Sequence, residues 1–324
     1  MMEVSHTPVR CGIILGGGEG ERLRPFIRQL RGGVLPKQYV NLIGTRSMLE
    51  HTFHRTEKLI PPERLFTVVS RNHLSHPEVR QQLSSLQPGK VVVQPVNKDT
   101  GPGILLPLMH VYKRYPESTV AVFPSDHFIV EEELFMAYVD LAFRVVERHP
   151  SYLVLLGMQP NAPEPDYGYI VPGAMVNHLA PLAVHEVVRF IEKPEPHAAQ
   201  DLLLNGGLWN TMVMVFKVRT LLDLVRGVAP QMFDFFRRIL QAVGTSGEMD
   251  AVEEGYRHME AVNFSRGLLE ALPREHASRL LVLPVRGVFW SDWGSVHRIM
   301  SVLQNTGHLG QLHGIPEGGG YYDK

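Results

Sequence analysis

Up to about residue 157, short apolar runs alternate with segments whose apolar positions recur every three to four residues. The runs Arg10–Leu15, Leu65–Ser70, Lys90–Gln94, Thr119–Phe123 and Tyr152–Gly157 are rich in Val, Ile, Leu and Phe and bounded by turn residues, which predicts buried strands. Between them, Ser47–Leu59, His73–Leu86, Ile104–Tyr115 and Glu131–Arg148 carry the helical spacing. Repeated strand–helix units predict an α/β fold with a parallel sheet covered on both faces and ligands beyond the carboxyl ends of its strands. After residue 158 Pro, Asn, Gly and Tyr cluster through Gln159–Gly173, and the strands read as antiparallel. Leu221–Tyr256 reads as mainly helical, its Phe and Met stripes as core. The segment Phe26–Leu35, with its arginines and glycines, is a mobile lid or a plain loop, and the loop is expected.

Composition narrows the class without naming the chemistry. With 324 residues, 44% apolar and a net charge of −1, the chain has enough material for a large core and no basic excess pointing to nucleic acid. One cysteine, Cys11, excludes an internal disulfide and a cysteine-type metal site, and fits a reducing cytoplasm. Met1–Arg10 is polar, unlike a signal peptide, and no run approaches the ~20 apolar residues that span a bilayer, so no membrane is expected.

The chemistry starts where the first strand ends. Leu15-Gly16-Gly17-Gly18-Glu19-Gly20-Glu21-Arg22 crowds glycines behind an apolar run, so backbone N–H groups can approach an anion closely. Arg22 adds a planar cation, and Pro36-Lys37-Gln38 brings a second cation next to a rigid residue. A glycine turn with two cations behind it favours a polyphosphate cradle. It is neither a P-loop, which needs Gly-Lys-Ser/Thr, nor the dinucleotide fingerprint, whose last glycine would fall on Glu21 or Leu23. Gln94 at the third strand's end can donate and accept, which suits a base edge. Beyond it Asp99 or Thr100 suits a helix N-cap. In Pro124-Ser125-Asp126-His127, Asp126 either caps a turn or, beside phosphates, serves as a hard oxygen ligand for Mg²⁺. Glu131–Glu133 is simplest as first-turn helix charge. His185-Glu186 is no zinc-protease start, since Arg189 takes the second histidine's place.

The G-G-x-G-x-R-L-x-P loop followed by P-K-Q resembles the sugar-1-phosphate nucleotidyltransferases, and the P-K-Q form the mannose-1-phosphate guanylyltransferases among them. The chain offers further matches in the family's order: Gln94-Pro95 through Thr100-Gly101-Pro102, Pro124-Ser125-Asp126-His127, Asp166-Tyr167-Gly168-Tyr169, Phe190-Ile191-Glu192-Lys193-Pro194, Trp209-Asn210 and Trp290-Ser291-Asp292-Trp293-Gly294-Ser295. Lys98, Asp99 and Met212 depart from the family's Arg, Asn and Gly. The resemblance implies a Rossmann-like three-layer α/β/α domain with a mainly parallel mixed sheet over residues 1–300. Its nucleotide part would run to about 157, its sugar part over 158–300, and a short tail with Gly318-Gly319-Gly320 would follow over 301–324.

It also implies the reaction NTP + sugar 1-phosphate to NDP-sugar + pyrophosphate, with GTP and mannose 1-phosphate favoured. Leu15, Gly16, Gly17, Gly18, Gly20, Arg22, Gln94, Gly101, Ser125 and Asp126 would then face the nucleotide. Arg22 and Lys37 would act on the phosphates, Asp126 and Asp292 would hold Mg²⁺, and Gly168, Tyr169, Glu192, Lys193 and Asn210 would receive the sugar phosphate. A homodimer is left open. The alternatives are UTP or dTTP with glucose 1-phosphate, or a non-catalytic sugar-nucleotide-binding homologue. A glycosyltransferase would want Asp-x-Asp ending at Asp126, where position 124 is Pro.

Overall fold

The computed structural model describes residues 8–272, 279–305 and 307. The polar start through residue 7 and the glycine-rich tail from 308 lie outside these. One nine-stranded mixed sheet organises the chain. Its strands are β1 (Arg10–Leu15), β2 (Leu65–Ser70), β3 (Val91–Gln94), β4 (Thr119–Pro124), β6 (Leu153–Met158), β7 (Gly168–Met175), β8 (His185–Glu192), β9 (Leu208–Lys217) and β10 (Leu280–Val285), in the order β3-β2-β1-β4-β9-β6-β10-β8-β7. β1, β2, β3 and β4 run parallel, as do β6 and β10, while β9 is antiparallel to both β4 and β6. β5 (Phe128–Ile129) and β11 (Trp290–Ser291) form a separate antiparallel pair.

The first four strands match the sequence reading to within a residue or so, because each is a compact apolar run with its ends marked. Two helices begin away from where spacing alone puts them. Pro77 opens α3 (Pro77–Ser84), later than the periodic stretch beginning at His73. Asp99, accepting a hydrogen bond from the Thr100 N–H, caps α4 (Thr100–Arg114) one turn earlier than Ile104.

The expected loop over Phe26–Leu35 is corrected. Residues Arg24–Arg31 form helix α1, with Pro25 in its first turn, Phe26 and Ile27 buried, and Gly32 closing it in the left-handed region at φ 71°. Only residues 32–36 remain irregular. α2 (Met48–Thr56) follows, closed at its start by a reciprocal Ser47/Glu50 capping box. α5 (Glu132–Arg148) covers the sheet, and α6 (Pro196–Leu204) links β8 to β9. The helical stretch expected over Leu221–Tyr256 is three helices, α7 (Val218–Val228), α8 (Pro230–Ala242) and α9 (Glu248–His258), with Met232 and Phe236 buried.

Apolar clusters fill both sides of the sheet, so β1, β4, β6 and β9 are buried almost throughout. The carboxyl ends of β1, β3 and β4 open onto the same edge, because Leu15 lies opposite both Val68 and Pro124, and Ser70 opposite Gln94. Among the described residues no helix is long and apolar enough to cross a membrane.

Candidate active site

The glycine loop leaves β1 and is tied from behind. Gln38 Nε2 donates to the Gly16 and Gly18 carbonyls, both at 2.8 Å. Ser70 Oγ donates to the Gly17 carbonyl at 2.8 Å, and the Tyr39 hydroxyl to Gly16 at 3.2 Å. Three consecutive carbonyls are thus taken up by side chains. Gly20, at φ 61°, turns the chain into Glu21–Leu23, where a Cβ would press on Lys37. At Gly17 a Cβ would stand 2.5 Å from Gln94 Nε2, so a side chain there would push that amide aside.

Gln94 is 2% exposed and donates from Nε2 to Ser70 Oγ at 3.0 Å, while its Oε1 has no hydrogen-bond partner among the described residues. Gly101 sits at the start of α4 with its N–H on the Val262 carbonyl at 2.8 Å, which fixes the helix end behind Gln94. Ser125 Oγ donates to the Leu15 carbonyl at 2.7 Å, joining the ends of β1 and β4.

Lys37 is the centre of the arrangement. Its almost fully buried ammonium lies 2.9 Å from Asp126 Oδ2 and donates to the Asp292 carbonyl at 2.6 Å. The β5–β11 pair explains how residues so far apart in sequence meet. Its register sets Ser291 against Phe128, and one further step brings Asp292 across from His127, next to Asp126. Burial opposes the charged form of Asp126, yet Lys37 beside it holds the carboxyl below its ordinary range. Burial pushes the His127 pKa down to about 4, and its Nδ1 accepts from Trp290 Nε1 at 3.2 Å, which leaves the ring neutral near neutral pH.

Asp292 Oδ1 accepts from the Tyr167 hydroxyl at 3.1 Å and from the Gly294 N–H at 2.8 Å. Arg22 is half exposed and pairs with Asp166 at 3.0 Å. Among the described residues no cluster of three or more His, Cys, Asp or Glu forms a metal cage. The Asp126 carboxylate, with Asp292 anchored to the same lysine through its backbone carbonyl, fits Mg²⁺, which takes one or two protein oxygens and completes its shell from water and phosphate.

A second group of expected residues meets on the antiparallel strands. Gly168 pairs directly with Glu192, and a Cβ on it would stand 2.7 Å from Glu192 Oε2 and 3.4 Å from Asn210 Cβ. Asn210 Oδ1 accepts from the Met212 N–H at 3.0 Å. Burial raises the Glu192 carboxyl above its ordinary range, with Lys193 opposing. Lys193 itself is exposed, at φ 48°. Tyr169 points away from this group. It is fully buried, and its hydroxyl accepts from the Glu164 N–H at 2.9 Å, because successive side chains on a strand face opposite ways.

Sequence reasoning passes over Gln38 and Ser70, which hold the glycine loop, and Tyr167, Asp166 and Arg298, which surround Asp292. Gln38, Asp166 and Tyr167 lie inside quoted motifs without being singled out, while Ser70 and Arg298 join the site only through long-range folding and leave no local spacing to read.

Comparison with known proteins gives the family. The nucleotidyl transferase family model matches residues 11–308. The chain is 29% identical over 306 residues to the xanthan biosynthesis protein XanB of Xanthomonas campestris pv. campestris, covering 93% of this chain and 61% of that protein. It is 29% identical over 243 residues to a mannose-1-phosphate guanylyltransferase of Escherichia coli, covering 74% and 50%. The chain therefore spans about three fifths or less of the length of these relatives. A solved structure described as mannose-1-phosphate geranyltransferase from Thermus thermophilus superposes with TM-score 0.77 at 26% identity, over 91% of this chain and 79% of that one. A UDP-glucose pyrophosphorylase from Acinetobacter baumanii shares the fold at TM-score 0.55 and 14% identity, over 92% and 93%. With the family match running over nearly all of its length, the chain belongs to the nucleotidyl transferase family.

Proposed function

We propose that the protein condenses an NTP, GTP first among them, with a sugar 1-phosphate, mannose 1-phosphate first among them, releasing pyrophosphate. One observation carries the reading: Lys37 touches both Asp126 and Asp292 just behind the glycine loop. A phosphate oxygen of the sugar 1-phosphate attacks the α-phosphorus, and the bond to the β-phosphate breaks. The attacking oxygen is already ionised near neutral pH, so no general base is required, in keeping with a neutral His127. The barrier is the meeting of two anions, which fixed cations and positioning lower.

The N–H groups of Gly17, Gly18 and Gly20 make no hydrogen bond among the described residues and face the triphosphate in this reading, with Arg22 at its outer end. Gln94, with its unpartnered Oε1, reads the base beside Gly101, and Ser125 closes the wall behind it. Lys37 neutralises charge at the reacting phosphates. Asp126 and Asp292 hold Mg²⁺, which supplies charge neutralisation at phosphate oxygens when bound. Gly168 leaves room for the hexose, Glu192 and Asn210 take its hydroxyls, and Lys193 meets its phosphate. Tyr169 supports this strand from the core side.

A pyrophosphate-release assay across four NTPs and several sugar phosphates tests the assignment. GTP with mannose 1-phosphate is expected to give the highest kcat/KM. A preference for UTP or dTTP with glucose 1-phosphate would move the substrate, and sugar-nucleotide binding without turnover in Mg²⁺ would remove the catalytic reading.

Glu192→Gln is expected to raise the sugar 1-phosphate KM by on the order of tenfold with kcat little changed, as for a lost hydrogen bond to a charged group, ~1.5–3 kcal/mol. Lowering the pH should mimic the substitution at a higher pH than for an ordinary glutamate, since the carboxyl is already raised. An unchanged KM would exclude the residue from sugar binding.

A further inference from the structure

Arg298 stands outside every motif described above, yet it is the most heavily paired side chain near the aspartates. It projects from α10 (Val296–Asn305), and its side chain is only 11% exposed. Its Nη1 lies 3.2 Å from both Glu164 Oε1 and Asp166 Oδ2, and its Nε lies 3.2 Å from Asp292 Oδ1. The guanidinium lies over the Tyr167 ring, 4.9 Å from its centre, and the Tyr167 hydroxyl donates to the same Asp292 oxygen. Asp166 Oδ2 is shared with Arg22 Nη1 at 3.0 Å. A continuous charged chain therefore runs from Arg22 through Asp166 and Arg298 to Asp292.

Gly294 shows how tightly this chain is drawn. A Cβ at that position would stand 2.5 Å from both Arg298 Nη2 and Asp292 Oδ2, and 2.8 Å from Arg22 Nη2. Arg22, Arg298 and the Asp292 carboxylate thus surround one point that only a glycine leaves free. Asp292 Oδ1 accepts from Tyr167 and Gly294 and lies 3.2 Å from Arg298 Nε, while Oδ2 accepts from Arg298 Nη2 at 3.5 Å.

We propose that Arg298 is a positioning residue that holds the Asp292 carboxylate beside the metal site and couples that aspartate through Asp166 to Arg22. The inference rests on reading Asp292 as a metal ligand. Lys37 does the same for Asp126, engaging Oδ2. A planar fork is needed, because Nη1 and Nη2 reach the carboxylates of Asp166 and Asp292 at once, a spacing that the single ammonium of a lysine does not offer. The guanidinium also lowers the negative charge of Glu164, Asp166 and Asp292 around the site, so its charge and its shape have separable effects.

The test compares Arg298→Met, Arg298→Lys and Asp292→Asn with the wild type, measuring Mn²⁺ affinity by electron paramagnetic resonance, Tm, and kcat and KM. Arg298→Met removes a cation beside the ligand and should bind Mn²⁺ more tightly, on the order of tenfold, while kcat falls on the order of tenfold. Arg298→Lys should keep Mn²⁺ affinity within threefold of the wild type yet share the loss of kcat. Should the Met variant not fold, this pairing of intact affinity and lost kcat in the Lys variant decides alone. A lower Tm with Mn²⁺ affinity and kcat both unchanged makes Arg298 a structural tie and overturns the proposal, as does full kcat in Arg298→Lys. Mn²⁺ uptake that is nil in the wild type or unaltered in Asp292→Asn instead removes the metal reading, and Arg298 with it.

Discussion

Lys37→Met lowers turnover by on the order of 10³-fold while the protein stays folded. The ammonium is the only described cation in contact with Asp126 and with the backbone of Asp292 together, so its loss removes one preorganised charge and loosens two ligands. Deleting a single preorganised donor costs about 10²–10³ in turnover, and the added loss of ligand placement puts this variant at the upper end. Stability should suffer less. Breaking a buried ion pair costs about 3–5 kcal/mol because a charge is left uncompensated. Asp126, however, keeps 32% of its side chain exposed, and water softens that cost. Pyrophosphate release read beside the Tm checks both parts, and turnover within threefold of the wild type would take Lys37 out of the mechanism.

Asp126→Asn should reduce turnover by on the order of 10²-fold or more through a different route. The amide keeps the shape but gives up the charge that Lys37 faces at 2.9 Å. Since the carboxyl is held below its ordinary range, it is ionised at any working pH, and the wild type never resembles the variant near neutrality. The two substitutions separate in their metal dependence. Half-saturating Mg²⁺ should rise for Asp126→Asn by on the order of tenfold, as expected for a lost carboxylate ligand, and should fall for Lys37→Met, which takes a cation away from that carboxylate. An Mg²⁺ titration of both variants checks this. Equal half-saturation in wild type and Asp126→Asn would mean that Asp126 is no ligand.

The parallel half of the sheet is legible in the sequence because each of its strands is a short apolar run ended by a glycine, proline or polar residue, and three of those ends also begin a site segment. The aspartates are legible as motifs, but their meeting is not. It depends on a two-residue strand pair, Phe128–Ile129 with Trp290–Ser291, too short to leave any periodicity. α1 escapes a sequence reading because Pro25 and Gly32 look like loop residues until they are seen as the start and stop of one helix. The apolar run Leu280–Val285 does not declare itself a strand, since only its partner Leu153–Met158 gives it a place. Gly168 and Tyr169 read together as one motif, although neighbours on a strand serve opposite faces. Arg298 shows the same limit, as Glu164 and Asp166 reach it from more than a hundred residues away in the chain.

The reversed strand at the middle of the sheet governs how the chain can acquire its shape. Thr119 waits for Lys217, and Leu153 for Phe216 and then Leu280, so both flanks of the centre stay open until late in synthesis. Closing such distant pairings early is entropically costly, which makes assembly slow and leaves greasy, unsatisfied backbone exposed meanwhile. The two halves of the sheet are therefore welded through one shared slat, and neither can be excised as a folded part.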